Sequence, residues 1–402
     1  MKWEKVKLGE LYEVHNGLSK AGKFFGEGYP FLTFSTVFNN YFIPKQITDL
    51  VQSTEKEQES YSIRRGDVFV TRTSETSDEL GMSCVALKDY PMATYNGFTK
   101  RMRPITNRVF PEYIGYYMRL PSFRGEFRAF STMTTRASLR NEDLLGLEVK
   151  LPSIEIQKQI ADILSAYDDL IENNQKQIKL LEEAVQRLYK EWFVDLRFPG
   201  HENTKIVDGV PEGWQWCKVR DVADINSSAL PKNYKEDFID YVDLGSVRCG
   251  HIETRTRYNL NEAPGRAKRC AKDGDIIWGM VRPNLKAYAL VTNPKETDVF
   301  STGFAVLSAK KVPYSYLYCA VTQEEFVGYL VNATNGAAYP AVKPVHFEVA
   351  DILKPYEKVL EQFHSVADLI FRKIEMLDKQ NHNLSEARDL LLPKLMNGEV
   401  EV

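Results

Sequence analysis

Pro152-Ser153-Ile154-Glu155-Ile156-Gln157-Lys158-Gln159-Ile160 opens the stretch on which the fold turns. Ile156, Ile160, Ile163, Tyr167, Leu170, Asn174, Ile178, Leu181, Val185, Leu188 and Trp192 then step by threes and fours. Such alternation keeps one apolar stripe facing a partner helix, the seam of a coiled coil. Pro152 and Ser153 supply the start, with Ser153 placed to cap. Two successive steps of four around Asn174 mark a stutter. A second stripe follows Pro355: Val359, Phe363, Val366, Ile370, Ile374, Leu377, Asn381, Leu384 and Leu391. Neither stretch holds Gly or Pro before Pro393, which is expected to end or bend the second helix. About forty helical residues span roughly 60 Å. A lone stripe usually belongs to an ordinary core helix. Two in one chain, with a globular segment between, most simply pair antiparallel. Asn174 and Asn381 either fix the register of that seam or are tolerated polar residues.

Outward from the helices the chain repeats itself. Trp3, Lys7 and Leu8-Gly9-Glu10-Leu11 return as Trp214, Lys218 and Val219-Arg220-Asp221-Val222. Gly66-Asp67-Val68-Phe69 returns as Gly274-Asp275-Ile276-Ile277, and Asn96-Gly97-Phe98 as Thr302-Gly303-Phe304. Pro111-Glu112-Tyr113 is echoed by Pro313-Tyr314 and Tyr316-Leu317-Tyr318. Each match is weak, but their shared order makes chance a poor explanation. Short apolar runs punctuated by Gly, Pro and Asn read as strands: Asp67 to Thr71, Ser83 to Leu87, Asp275 to Trp278 and Ala287 to Val291. Short helices are expected over Pro111 to Leu120 and Tyr314 to Leu330. The fold class is α+β, with a mixed sheet in each of two similar globular domains and two long antiparallel helices between them. The boundaries are a first globular domain at 1–150, a helix at 151–197 and a turn-rich linker at 198–213. A second globular domain follows at 214–353, then a second helix and tail at 354–402.

The whole sequence of 402 residues suits this size, with about 100–200 residues to a domain. With 52 Lys+Arg against 55 Asp+Glu, a net charge of -3 excludes a strongly basic protein. Any nucleic-acid contact must come from local patches. Five scattered cysteines fit reduced thiols better than a disulfide framework. No run of 18 apolar residues occurs, and Met1-Lys2-Trp3-Glu4-Lys5 leads into no signal-peptide core, so a cytoplasmic protein without membrane contact is expected.

Catalytic signatures fail on spacing. Gly17 to Lys23 imitates a phosphate loop, but Phe24 stands where Ser or Thr must hold magnesium. The six histidines form no short-spaced pair, and Cys-x-x-Cys is absent, which argues against zinc. Gly-x-Ser-x-Gly and Gly-x-Gly-x-x-Gly are also missing. Asn293-Pro294-Lys295 is not the Asn-Pro-Pro-aromatic clamp of amino-methyltransferases. These failures favour a binding or scaffolding protein without catalytic residues.

Local charge remains. Lys100, Arg101, Arg103, Arg108, Arg119, Arg124, Arg128, Arg136 and Arg140 are interleaved with aromatics from Phe98 onward. Arg248, Arg255, Arg257, Arg266, Lys268, Arg269, Lys272, Arg282 and Lys286 form a second cluster. Such clusters neutralise phosphates in DNA binding, although charge runs are ordinarily solvated surface. The residues alone leave both readings open.

At this point the chain resembles the specificity subunit of type I restriction-modification enzymes. The resemblance rests on Leu151-Pro152-Ser153-Ile154-Glu155-Ile156-Gln157 with Gln159-Ile160, and on Leu180-Leu181-Glu182 with Leu188-Tyr189 and Trp192-Phe193. Phe198-Pro199-Gly200-His201-Glu202, Val210-Pro211-Glu212-Gly213-Trp214 and Arg388 to Glu399 continue it over the whole chain. Leu353-Lys354-Pro355-Tyr356 departs from the pattern at the second helix. The resemblance implies two target-recognition domains, each reading half of a split DNA site. Two modification (methyltransferase) subunits would dock on the helices, with Leu181, Leu188, Trp192, Leu384 and Leu391 as the expected subunit contacts. Restriction subunits would join that complex. S-adenosylmethionine, ATP and magnesium would belong to those partners, with no cofactor, metal or catalysis on this chain.

Direct readout uses Arg and Lys on guanine, and Asn and Gln on adenine. The best candidates for double-stranded DNA are the polar loops after the Gly-Asp strands: Arg72, Thr73 and Ser74, then Arg282, Asn284 and Lys286. Arg101 joins them, followed by Thr134, Thr135 and Arg136 and their counterparts Asn335, Tyr339 and Lys343. Half-sites about one helical turn apart, roughly 34 Å, are expected, with a non-palindromic sequence. The rival reading is a coiled-coil scaffold that never touches DNA; it leaves the two basic, aromatic-rich repeats unexplained. A single-chain restriction-methylation enzyme fails on length and missing motifs.

Overall fold

The computed structural model describes residues 3–74, 79–129, 137–334 and 340–402. It forms two compact units: Met1–Glu172 with Asn381–Val402, and Asn173–Gln380.

Each unit is built on the same four-stranded antiparallel sheet. In the first, the order is Tyr12–Asn16, Thr99–Pro104, Val68–Thr71, Ser83–Val85. In the second it is Ala223–Ile225, Phe304–Ala309, Ile276–Gly279, Tyr288–Leu290. The Gly-Asp motif explains the common entry. Gly66 and Gly274 take φ of +90° and +83°, which glycine adopts freely. The following aspartates accept the backbone N–H of Arg64 at 2.7 Å and Lys272 at 2.9 Å. Apolar residues then run into the sheet, buried on both faces.

Parallel strand pairing lies in a second sheet of each unit, of three strands in the first and four in the second, so each domain holds a mixed sheet as expected, beside the antiparallel main sheet. Phe31 and Leu32 pair parallel with Thr94 and Tyr95, as Asp240 to Val242 do with Asp298 to Phe300. A two-stranded clasp joins the start of each repeat to its end: Glu4–Lys7 with Glu148–Leu151, and Gln215–Lys218 with Asp351–Lys354. Tyr113 donates its hydroxyl to the Lys150 carbonyl at 2.7 Å, and Tyr316 does the same to Leu353.

Four expectations need adjusting. The turn at Asn96-Gly97-Phe98 matches Ser301-Thr302-Gly303 by strand register, so its glycine is displaced by one position. Pro121 restarts a separate helix, Pro121–Ala129, after Pro111–Tyr117. Likewise Tyr314–Val321 and Glu324–Asn332 are two helices, because the Thr322 hydroxyl turns back to the Tyr318 carbonyl at 2.7 Å. The expected linker contains a hairpin, Ile206–Val207 with Val210–Pro211, closed by Asp208 and Gly209 at φ +50° and +82°. Positive φ at both turn residues is the geometry that matches strand twist.

The long helices run Ile154–Tyr189 and Glu357–Asn397, starting after Ser153 and after Pro355 as their start signals predict, while strand pairing keeps Leu151 and Lys354 in the globular parts. Within the first unit Asp168 pairs with Arg388; within the second, Asn174 meets Gln380 and Tyr189 meets Phe363. In the second unit the partner numbers fall as chain numbers rise, so the helices run antiparallel there. Asn174 is buried and donates to Gln380 Oε1 at 3.3 Å, whereas the Asn381 Oδ1 finds no partner among the described residues. Leu170 and Val366 stand out in solvent, contrary to the predicted stripes; Ala367 and Phe371 take the buried places on the second helix. A straight helix drifts about 20° per heptad from a strict seven-residue repeat, which moves the seam onto neighbours. Pro393 neither ends nor interrupts the assigned helix. It removes one N–H near the terminus, while Leu392, Leu395 and Met396 are buried in the first unit's core and hold the last turns.

Candidate nucleic-acid interface

The predicted loops are joined by backbone pairing in both units. Beyond Thr71 the first chain segment continues as Thr73–Ser74, antiparallel to Ala137–Ser138, and the Leu139 N–H donates to the Arg72 carbonyl at 2.9 Å. In the second unit Val281 bridges Ala341, the Val342 N–H donates to Met280 and the Arg282 N–H to Pro340, both at 2.8 Å. Ser74 and Arg282 thus hold corresponding places. The arrangement brings Arg282 to the segment that leads into Lys343, which is exposed. Thr134, Thr135, Arg136, Asn335 and Tyr339 lie outside the described residues.

In the second unit the loop is a tight turn, Pro283–Leu285, flanked by Arg282 and Lys286 at φ +49° and +54°. Neither flank is glycine, so the turn carries backbone strain held by its surroundings. Pro283 is buried; Arg282, Asn284 and Leu285 are exposed; Lys286 Nζ lies 2.5 Å from Glu324. In the first unit the Arg72 N–H donates to the Phe98 carbonyl at 2.9 Å, and Phe98 itself stands in solvent.

Much of the first basic cluster is not available to DNA. Arg101, placed among the candidates, is only 3% exposed and Lys100 only 5%. Both belong to Thr99–Pro104, a strand paired on both sides, so their side chains enter the interior. Arg101 donates to the Ser62 carbonyl at 2.7 Å and lies over the Tyr95 ring; burial holds its pKa below the usual arginine range. Lys100 donates to Asn141 Oδ1, and burial, then the charge of Arg72, lower its pKa. Ala305 and Val306 occupy the matching positions of the second unit. Arg103 is bound to Asp67 at 2.6 Å, and Arg119 donates to the carbonyls of Ser83, Val37 and Asn40. In the second cluster Arg257 grips Asp240 through two bonds of 2.9 and 3.1 Å, and Arg255 faces Asp298 at 3.3 Å. Arg266 and Lys268 stay exposed. Arg266 was outside the candidate loops, yet its carbonyl accepts the Thr302 N–H at 2.8 Å, beside the Gly303 that receives Met280. Sequence offers no sign of that closure, which needs the sheet register.

Along the helices, Leu188 and Trp192 pack partly against the second unit's core and Leu391 against the first's, while Leu181 and Leu384 are half-buried. More exposed apolar positions on the same helices are Leu180, Val366, Leu369 and Met376 in the second unit, and Leu170 and Leu390 in the first. Among the described residues no group of three His, Cys, Asp or Glu is placed to hold a metal ion, and no helix is long and apolar enough to cross a membrane.

Known proteins agree with this architecture. Residues 1–183 match the family model of the type I restriction modification DNA specificity domain. The chain is 27% identical to the type I restriction enzyme MjaIX specificity subunit of Methanocaldococcus jannaschii, covering all of this chain and 94% of the relative. It is 22% identical to the HindI specificity subunit of Haemophilus influenzae, over 99% of each. The crystal structure of a type I restriction-modification S subunit from M. genitalium superposes with a TM-score of 0.57 at 15% identity, covering 98% of this chain and 96% of that one.

Proposed function

The chain belongs with the specificity subunits of type I restriction-modification systems, and on that premise we propose that its two units each read one half of a split, asymmetric DNA site. The observation that carries the reading is the duplicated junction: one backbone scheme pairs the segment after the Gly-Asp strand with the segment before the clasp in both units. The side chains on it differ, with Arg72, Thr73 and Ser74 in one and Arg282, Asn284 and Lys286 in the other. A shared frame with different readers suits two unlike half-sites. Unlike the buried Lys100 and Arg101, Arg282 and Asn284 of the second unit's loop face solvent, where base edges and phosphates can reach them, while Lys286 is half-buried and paired with Glu324.

The helices serve as the docking platform for two modification subunits, with restriction subunits added to that complex. Exposed leucines on the same helices as Leu181, Leu188, Trp192, Leu384 and Leu391 offer partner helices apolar contact. S-adenosylmethionine, ATP and magnesium act on those partners, and this chain contributes address rather than chemistry. The test is an exchange of residues 1–150 for those of a relative with another specificity, assayed as the full methyltransferase complex. One half of the methylated motif should change and the other persist. A change in both halves, or in neither, contradicts the assignment.

A further inference from the structure

Each unit carries one large apolar side chain in solvent on backbone bonded to its candidate reading segment. In the second unit it is Leu285, 59% exposed, between Asn284 and Lys286. In the first it is Phe98, 57% exposed, whose carbonyl receives the Arg72 N–H. A scattered exposed leucine needs no explanation. Leu285, however, sits at the apex of a turn whose every flank is fixed. The Arg282 N–H donates to Pro340 and the Leu285 N–H to Arg282, both at 2.8 Å. The Lys286 N–H donates to Pro283, and Lys286 in turn accepts from Cys249, both at 3.0 Å. Buried Pro283 anchors the loop from below. The leucine is therefore projected outward beside the exposed Asn284 amide and the exposed Arg282, with Lys286 held by Glu324.

That combination matches the major-groove edge of an adenine-thymine pair, where an amide-reading face on adenine lies next to the thymine 5-methyl group. We propose that Leu285 is a specificity-determining residue that reads thymine by packing on its 5-methyl group, beside Asn284 on adenine, and that Phe98 does the same in the other half-site. This rests on the reading of both loops as DNA-facing.

The experiment uses the full methyltransferase complex and duplexes carrying its mapped motif. The half-site of the second unit is the one that persists when residues 1–150 are exchanged. Each thymine in it is replaced in turn by uracil, which lacks only the methyl. One replacement should weaken the wild-type complex about fourfold, the worth of one buried methyl group. Leu285→Ala should bind the thymine duplex about that much more weakly and be indifferent to the same replacement, while discriminating normally in the first half-site. Leu285 is exposed, so its truncation leaves the core intact. A variant that keeps the wild-type uracil response at every thymine overturns the proposal, as does a second half-site in which no thymine responds. Failure of the underlying reading looks different: the wild-type complex then shows no split motif, and the proposal falls with it.

Discussion

Two aspartates at the same place in the repeat have opposite surroundings. Asp67 is buried and binds Arg103 at 2.6 Å. Asp275, equally buried, has no arginine: desolvation raises its pKa, against the Lys272 N–H it accepts and Ser308. A carboxyl whose folded pKa exceeds its unfolded value makes unfolding easier as pH rises through that range. Asp275→Asn keeps an acceptor for Lys272 and removes the ionisation, so urea unfolding at neutral pH should show equal or greater stability. Asp67→Asn strands a guanidinium and should cost about 3–5 kcal/mol in the same titration. The Gly-Asp motif and its strand were readable from sequence, because a positive-φ glycine and a buried apolar run leave few alternatives. The partner of Asp67 was not, since Arg103 reaches it only through the strand register. The same register buries Arg101, which sequence presented as a cation among other cations.

At the scale of elements, the two helices were legible because their stripes are long, and their details were not, because drift moves Leu170 and Val366 off the seam. Sequence gave no hint of the latch at His251. This residue, on the hairpin Val247–Arg248 with His251–Ile252, lies 3.7 Å from Asp378 of the second helix and 3.0 Å from Glu182 of the first. Asp378 and Glu182 push its pKa up to about 10, against partial burial. Cys249, Tyr288, Tyr318 and Glu375 line the same cavity of about 190 Å³. A raised histidine stabilises the fold fully below its unfolded pKa, about 6.5, and loses that contribution as pH climbs toward 10. The melting temperature should therefore fall across that window, and His251→Gln should flatten the fall; an identical slope in the variant refutes the latch. Exposed Leu369 tests the docking role. Leu369→Glu should leave stability within about 0.5 kcal/mol, as surface changes do, yet weaken capture of the modification subunit at least tenfold in a titration. Unchanged capture would remove this position from the platform.

For the whole molecule, internal duplication was the strongest signal, and it survives at the level of hydrogen bonds: matched sheets, clasps and loop junctions in both units. Sequence could not foresee which cations the fold keeps for itself, since burial depends on strand neighbours hundreds of atoms away along the chain. The central claim is that duplication of frame with divergence of side chains makes one chain read two different half-sites. It is tested most directly by sequencing the methylation left on genomic DNA by the complex of this chain with its modification subunit, at single-base resolution. A motif of two unlike halves around an unread spacer is the predicted result. Methylation at a continuous or palindromic motif, or at no fixed motif, would contradict it.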